Sequence, residues 1–247
     1  MNNSKPSEFH RLLLEHLWTS SSHSNSYLAG VMAPILYSCE LSPPVRSVLL
    51  TAKAIGLDLN IQDIDLGKKE QMTPEFLEMN PQHTVPTLQE DDGFVLWDSH
   101  AIMPYIVEKY SKYDTFYPTD IKKRAVIHQR MHFDTISSVT RSEAINPLFH
   151  DNKTSIPENL VATIKTHYNF LEKILERSEW IACDSVTIAD FSLIPSIKTA
   201  DIIVPIDRNT YPKLSSWLKR AENWKYYDAN ERGHDSLKNL ILERLQS

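Results

Sequence analysis

The chain has 247 residues, 41% of them hydrophobic and 23% charged, which suits one large or two small folded domains with adequate cores. A formal net charge of −6 argues against nucleic acid or an anionic membrane surface as the main partner, and no apolar run is long enough to span a membrane. The five glycines form neither of the two common glycine-rich phosphate-binding motifs. Two cysteines, Cys39 and Cys183, provide no disulfide framework and suit a reducing compartment such as the cytoplasm.

The first 31 residues are polar and serine-rich, apart from a short amphipathic cluster between Leu12 and Trp18. This apolar run is too short for a signal peptide and is interrupted by Glu15 and His16. We therefore expect residues 1–31 to be a disordered, dispensable N-terminal extension.

The segment that follows predicts a strand, a helix and a second strand. The apolar run at 35–38 is typical of a strand, and Pro43-Pro44 begins a helix that continues to about Ile55, because proline is tolerated in a first helical turn. The second strand is predicted at 59–66. A strand–helix–strand order implies that the two strands are parallel.

A hairpin and one more helix complete this part of the chain. The run from Val85 to Leu88 and the run from Phe94 to Trp97 are joined by an acidic link that contains glycine, which favours an antiparallel hairpin. A helix is predicted from Ser99 to Tyr110. Together these elements predict a thioredoxin-like domain over residues 32–112.

Residues 119–247 show helical periodicity and no convincing strand. Thr187 followed three residues later by Asp190 predicts a capping box, so we interpret Asp190 as structural. The predicted helices cover about 120–149, then begin at Pro157, at Thr187 and at Tyr211-Pro212, with a final helix over 237–245. The fold class is therefore α/β followed by an all-α domain.

Two stretches of the first domain predict a site for a small peptide. Pro86 lacks an N–H and favours β geometry at Val85, so the backbone of Val85 is left to pair with a ligand. Asp98 and Ser99 stand where a helix begins, and polar side chains at such a position orient the charged groups of a ligand.

These stretches carry a resemblance to a known family. Asn80-Pro81-Gln82-His83-Thr84-Val85-Pro86, followed by Asp98-Ser99-His100-Ala101-Ile102, resembles the glutathione site of insect delta and epsilon glutathione transferases. The family pattern implies a cis bond before Pro86 and a glutathione transferase fold. It also implies glutathione as co-substrate, a hydrophobic electrophile as second substrate, a role in detoxification and a homodimer. Asp98-Ser99-His100 and His132-Phe133 favour the epsilon class, although Gly93-Phe94-Val95-Leu96-Trp97 resembles the delta class as much.

The resemblance also assigns roles to individual residues. Val85 would pair with the cysteinyl part of glutathione, and Asp98 with Ser99 would hold its γ-glutamyl end. His83 would contact the glycyl carboxylate. Where the family usually has Gly-Glu-His, this chain has Lys69-Glu70-Gln71, and Gln71 can donate a hydrogen bond but carries no charge. The full set of expected glutathione-binding residues is Gln71, His83, Thr84, Val85, Pro86, Asp98, Ser99, His100 and Arg141. For Arg141 the alternative is a solvated charge on the helix surface.

Ser42 is the candidate catalytic residue. Leu41-Ser42-Pro43-Pro44-Val45-Arg46 resembles the Ser-x-Pro-x-Arg motif of the same family, in which the serine hydroxyl donates a hydrogen bond to the sulfur of glutathione. The thiolate is the nucleophile, and a thiol with a pKa of roughly 8.5 is mostly protonated at neutral pH. A donor at a helix N-terminus favours the anion. The alternative is that Ser42 only caps the helix.

Other interpretations remain open from the sequence. Cys39-Glu40-Leu41-Ser42 also has the C-x-x-S spacing of thiol–disulfide enzymes, in which Cys39 would be the nucleophile. A non-catalytic binder of hydrophobic ligands or steroids could use the same fold. His128 and His132 have a spacing that can bind metal, but no third ligand is apparent, so we expect no metal.

Overall fold

The computed structural model describes residues 33–246, and its first part is a small mixed sheet with helices. The strands are β1 (Ile35–Ser38), β2 (Asn60–Asp63), β3 (Thr87–Gln89) and β4 (Val95–Trp97). The helices that alternate with them are α1 (Pro43–Ile55), α2 (Pro74–Met79) and α3 (Ser99–Tyr110), with a short 3₁₀ turn at Glu70–Met72.

The sheet has the strand order β2-β1-β3-β4. β1 and β2 are parallel, as the intervening helix predicts, and β3 pairs antiparallel with both β1 and β4. β2 is shorter than the predicted strand at 59–66, and all four of its residues are exposed at the edge of the sheet. α2 was not predicted from the sequence, although Thr73 at its N-cap and Pro74 at its first position are ordinary start signals.

The rest of the described chain is helical. Its helices are α4 (Ile121–His150), α5 (Glu158–Leu175), α6 (Ile188–Ile203), α7 (Pro212–Ala221) and α8 (Asp228–Gln246). The predicted fold class, a small α/β part followed by helices, is confirmed. The expected disorder of residues 1–31 lies outside the described residues.

α6 forms the centre of the helical core. It packs against α1, α4 and α8, and both of the apolar side chains Phe191 and Ile197 are fully buried. The predicted capping box is confirmed, with Thr187 and Asp190 bonded reciprocally. The Asp190 carboxylate also accepts hydrogen bonds from the Trp217 Nε1–H at 2.9 Å and the Ile181 N–H at 3.0 Å, so it joins the start of α6 to its surroundings.

The predicted last helix, over 237–245, was wrong in its start. α8 begins at Asp228. The prediction missed its first turns because they bury polar and small residues, which do not give an apolar pattern in the sequence. The buried residues there are Asn230, Gly233 and His234. None of the helices within residues 33–246 is both long and apolar enough to cross a membrane.

Candidate active site

The sheet register brings the predicted site residues to one edge. Tyr37 of β1 pairs with Thr87 of β3, and Thr87 pairs with Trp97 of β4. The end of β1, the start of β3 and the end of β4 therefore meet at the same edge of the sheet. Ser42 follows β1, Val85 precedes β3 and Asp98 follows β4, so the three predicted segments converge there.

Ser42 occupies the N-cap position of α1 but does not cap it with its side chain. Its backbone is extended, with φ −75° and ψ 119°, and its carbonyl accepts the first helical bond from the Arg46 N–H at 3.1 Å. The hydroxyl makes no capping hydrogen bond to α1. The alternative that Ser42 only caps the helix therefore loses its physical basis, and the half-buried hydroxyl stands at the positive end of the helix dipole.

Cys39 lies in the same loop, three residues before Ser42. Burial raises the pKa of its thiol, although the backbone N–H groups of Leu41 and Ser42 favour the thiolate. A nucleophilic cysteine needs a lowered pKa, because the thiolate is the reactive form. The C-x-x-S interpretation is therefore disfavoured. Cys183 is likewise a half-buried free thiol.

The buried amide of Asn80 organises the loop that leads to Val85 and Pro86. Asn80 is fully buried, and its Nδ2 donates to the Thr84 carbonyl at 3.1 Å and to the Thr87 hydroxyl at 2.9 Å. The Thr87 hydroxyl in turn donates to the Thr84 carbonyl at 2.9 Å. The Val85-Pro86 bond is cis, which confirms that prediction. Pro86 is buried, and Val85 is half-buried just ahead of β3.

His83 and Gln71 lie on two loops beside this edge. His83 is exposed and has a φ of 46°, in the left-handed region, and its N–H donates to the Asn80 carbonyl at 2.9 Å. Gln71 lies in the 3₁₀ turn and is half-buried. Its side-chain oxygen is buried without a hydrogen-bond partner among residues 33–246. Ile64 N–H donates to the Ser38 carbonyl at 2.8 Å, so the segment that leads to Gln71 leaves the sheet beside the end of β1.

Asp98 and Ser99 start α3. Asp98 is the N-cap, and its carboxylate accepts a hydrogen bond from the His100 N–H at 2.8 Å. Its φ of 73° is unusual for a residue other than glycine, and such strained positions are concentrated at functional sites. Ser99 is buried at the first helical position. The predicted cap is present, and it points the start of α3 toward the same edge as Ser42.

The ring of His100 reaches into the helical part of the chain. Its Nε2 lies 2.7 Å from the Ser192 hydroxyl and 3.2 Å from the Asp134 carboxylate, and its Nδ1 lies 3.2 Å from the Thr135 hydroxyl. The Ser192 hydroxyl donates to Asp134 at 2.6 Å. Burial alone would lower the pKa of His100, but the hydrogen bond and charge of Asp134 outweigh it, so the pKa lies above its ordinary value. Direct contact of His100 with glutathione stays a prediction.

Arg141 is buried on α4 with an unused donor. Its Nη2 donates to the Ser138 hydroxyl at 2.6 Å, while its Nη1 has no hydrogen-bond partner in the described chain. Burial lowers its pKa, and the nearby charge of Asp134 partly compensates. A buried guanidinium with a free donor is a suitable partner for a carboxylate.

Sequence reasoning missed the residues that support the site. Asn80 is the first residue of the motif that ends at Pro86, but the sequence assigned it no role. Its position directly before Pro81 was the signal that could have marked it as a residue that organises a turn. Asp134 and Ser192 gave no local signal, because they meet His100 only through the packing of α3, α4 and α6. No cluster of three or more His, Cys, Asp or Glu side chains within residues 33–246 is arranged to hold a metal ion.

Comparisons with known proteins agree with this architecture. The sequence profile described as "Glutathione S-transferase, N-terminal domain" matches residues 36–113, and the one described as "Glutathione S-transferase, C-terminal domain" matches residues 153–220. "Glutathione S-transferase 1" of Manduca sexta is 42% identical over 218 residues, which covers 87% of this chain and all of that relative. "Glutathione S-transferase D7" of Anopheles gambiae is 34% identical over 221 residues, which covers 87% of this chain and all of that relative.

Solved structures of glutathione transferases also match this chain. An epsilon-class glutathione S-transferase from the housefly Musca domestica is 42% identical, with a TM-score of 0.83, over 85% of this chain and 98% of that one. A glutathione transferase homolog from Drosophila mojavensis with bound glutathione is 41% identical, with a TM-score of 0.82, over 87% of this chain and 98% of that one. The fold and the site at the edge of the sheet define a thioredoxin-like domain that is followed by a helical domain in the same chain. The chain belongs to the glutathione S-transferase family, whose members are transferases, and it is similar to insect members of the epsilon and delta classes.

Proposed function

We propose that this protein activates the thiol of glutathione through the hydroxyl of Ser42 and transfers the thiolate to hydrophobic electrophiles, or uses it for elimination from them. The observation that carries this proposal is the free side chain of Ser42. This residue occupies the N-cap position of α1, yet its hydroxyl makes no hydrogen bond to that helix. The hydroxyl is therefore available to donate to a sulfur. Together with the positive end of the helix dipole, it would stabilise the thiolate over the thiol.

In this proposal the glutathione backbone lies along the sheet edge. Val85 offers its backbone ahead of β3 to the cysteinyl residue, next to the buried Pro86. Asp98 and Ser99 at the start of α3 hold the γ-glutamyl end. His100 supports this end by tying the first turn of α3 to Asp134 and Ser192.

Polar side chains complete the proposed anchoring of the two ends of glutathione. His83 and Thr84 are exposed beside the loop that Asn80 holds, on the side of the glycyl carboxylate. Gln71 would donate an amide hydrogen bond there, without the charge of a histidine. Arg141 has a free Nη1 donor for a carboxylate.

The electrophile would bind against the helical part. α8 packs against both α1 and α4, and its Gly233 lies against Glu40 in the loop that leads to Ser42. Leu41, directly before Ser42, is a partly buried apolar residue of this region. Such a surface would favour apolar electrophiles, which is consistent with a role in detoxification in the cytoplasm.

We also propose that the protein is a homodimer. Ile136 and Val139 of α4 and Phe170 of α5 are large apolar side chains exposed to solvent. Exposed apolar side chains of neighbouring helices suit an interface between two copies.

The experiment that tests the proposed function is glutathione conjugation to a generic aromatic halide. The proposal predicts saturable turnover that depends on both substrates. The second candidate, a non-catalytic binder of hydrophobic ligands, predicts ligand binding without turnover. Light scattering of the same preparation tests the homodimer, and a monomeric mass would contradict that part alone.

A further inference from the structure

One turn of α8 holds the loop that carries Ser42. The turn contributes Asn230, Arg232 and Gly233, and it lies against Glu40, two residues before Ser42. Although α8 is the last helix within residues 33–246, it touches the loop that contains the candidate catalytic hydroxyl.

Gly233 brings the two backbones into direct contact. A Cβ placed on Gly233 would lie 2.1 Å from the carbonyl oxygen of Glu40 and 2.9 Å from its carbonyl carbon. These are backbone atoms, so the loop itself would have to move to accept any side chain there. Alanine is otherwise the better residue inside a helix, so glycine at this position is explained by the close approach.

Asn230 acts on the same loop through the buried guanidinium of Arg46. Arg46 is fully buried, and its Nη1 donates to the carbonyl of Leu41 at 2.8 Å and to that of Glu40 at 3.2 Å. Its Nε donates to the Asn230 Oδ1 at 2.9 Å. Because the donors of a guanidinium are fixed in one plane, the position of Asn230 helps to fix the two carbonyls.

A third contact lies at the surface. The Arg232 Nη2 is 2.6 Å from the Glu40 carboxylate, but the Arg232 side chain is 84% exposed. Exposed ion pairs contribute little, so we assign the positional effect to Asn230 and Gly233.

From these contacts we infer that Asn230 and Gly233 are positioning residues for thiolate formation, acting on Ser42 through the Glu40–Leu41 peptide. This inference rests on the proposed function of Ser42. A hydrogen bond stabilises an anion only within a narrow range of distance and angle, and the hydroxyl of Ser42 is placed by the backbone that precedes it. The C-terminal helix therefore sets the acidity of the glutathione thiol without touching glutathione.

The test is the pKa of the bound glutathione thiol, followed by thiolate absorbance in a matched pair of variants. Asn230→Leu removes the acceptor for the Arg46 Nε, whereas Asn230→Asp keeps an acceptor of similar size. We expect Asn230→Leu to raise the thiol pKa by about one unit, so that kcat/KM near pH 6.5 falls about fivefold and recovers at higher pH. Asn230→Asp should restore most of the loss.

Two further variants complete the design. Gly233→Ala should raise the thiol pKa at least as much as Asn230→Leu, since it displaces the loop directly. Asn239→Leu makes the same chemical change at an exposed position of α8 and serves as the control, with the thiol pKa unchanged. If Gly233→Ala fails to fold, the Asn230 pair still decides the matter.

Affinity for S-methylglutathione separates positioning from general damage, because this analogue has no thiol to ionise. It should stay within threefold in Asn230→Leu. A lower melting temperature with an unchanged thiol pKa in the folded protein would show a merely structural role and overturn the inference.

Ser42→Ala distinguishes this inference from the function on which it rests. If Ser42→Ala leaves the thiol pKa unchanged, the proposed role of Ser42 fails. If Ser42→Ala raises the pKa while Asn230→Leu and Gly233→Ala do not, only the positioning inference fails. In the double variant with Ser42→Ala, Asn230→Leu should add no further shift, because the hydroxyl that it positions is gone.

Discussion

Replacing Asn80 by alanine should weaken glutathione binding without changing the acidity of the bound thiol. The side chain is fully buried, and it ties the loop before Pro86 together from within. Its Oδ1 accepts from the Gln82 N–H at 2.9 Å, and its Nδ2 donates to the Thr84 carbonyl and the Thr87 hydroxyl. The Asn80→Ala variant loses all of these hydrogen bonds together.

The magnitude follows from counting those bonds. With about 1 kcal/mol for each of three hydrogen bonds, the loop loses about 3 kcal/mol of local stability. The Thr87–Thr84 bond remains and limits the disorder. If about half of the loss appears as a smaller fraction of binding-competent loop, the Kd for glutathione rises about tenfold, which corresponds to about 1.4 kcal/mol.

Titration calorimetry with glutathione measures this effect. Asn60→Ala is the matched control, since Asn60 is exposed and its side chain donates to the Ala33 carbonyl at 2.8 Å. The thiol pKa should stay unchanged in both variants, because Ser42 lies on another segment. A Kd for Asn80→Ala within twofold of the parent protein would refute the role of this loop in binding.

Three further predictions concern the buried residues Asp190 and Arg141 and the half-buried His100. Asp190→Ala should lower the free energy of unfolding by about 3 kcal/mol or more, because the Trp217, Ile181 and Thr187 donors lose their acceptor. Denaturant titration measures this change, and a loss under about 1 kcal/mol would contradict the prediction. Arg141→Met should weaken glutathione binding tenfold or more if its free Nη1 holds a carboxylate, and an unchanged Kd would show that it does not. The raised pKa of His100 means that its protonated form stabilises the fold: this contribution is complete below the ordinary pKa of 6.5 and is lost as the pH rises through the folded value. The stability difference between the parent and His100→Gln should therefore shrink between pH 6 and pH 9, and a constant difference would exclude the effect.

The sequence predicted the elements whose signals are local. The helix from Ser99 to Tyr110 was predicted with the bounds that the structure shows, because a cap marks its start and apolar residues recur along it. The capping box of Thr187 and Asp190 was also predicted from the sequence and is present in the structure. Both features depend on residues within one or two turns of each other.

The sequence could not show features that depend on packing between distant segments. The contact of Gly233 with Glu40 joins residues almost 200 positions apart. The start of α8 was missed because its inward residues, such as Asn230, are polar and contact the buried Arg46. In the same way, His100 carried a family role in the sequence, whereas its ring partners Asp134 and Ser192 could be found only from the folded chain.

The central claim is that the Ser42 hydroxyl stabilises the glutathione thiolate, and the pKa of glutathione bound to Ser42→Ala tests it most directly. A donor that lowers the thiol pKa by about two units contributes roughly 2.7 kcal/mol. The account predicts that the bound thiol pKa rises by up to about two units, that activity at about pH 7 falls by up to about 25-fold, and that Cys39→Ala has little effect. An unchanged thiol pKa in Ser42→Ala, or loss of activity in Cys39→Ala alone, would contradict it.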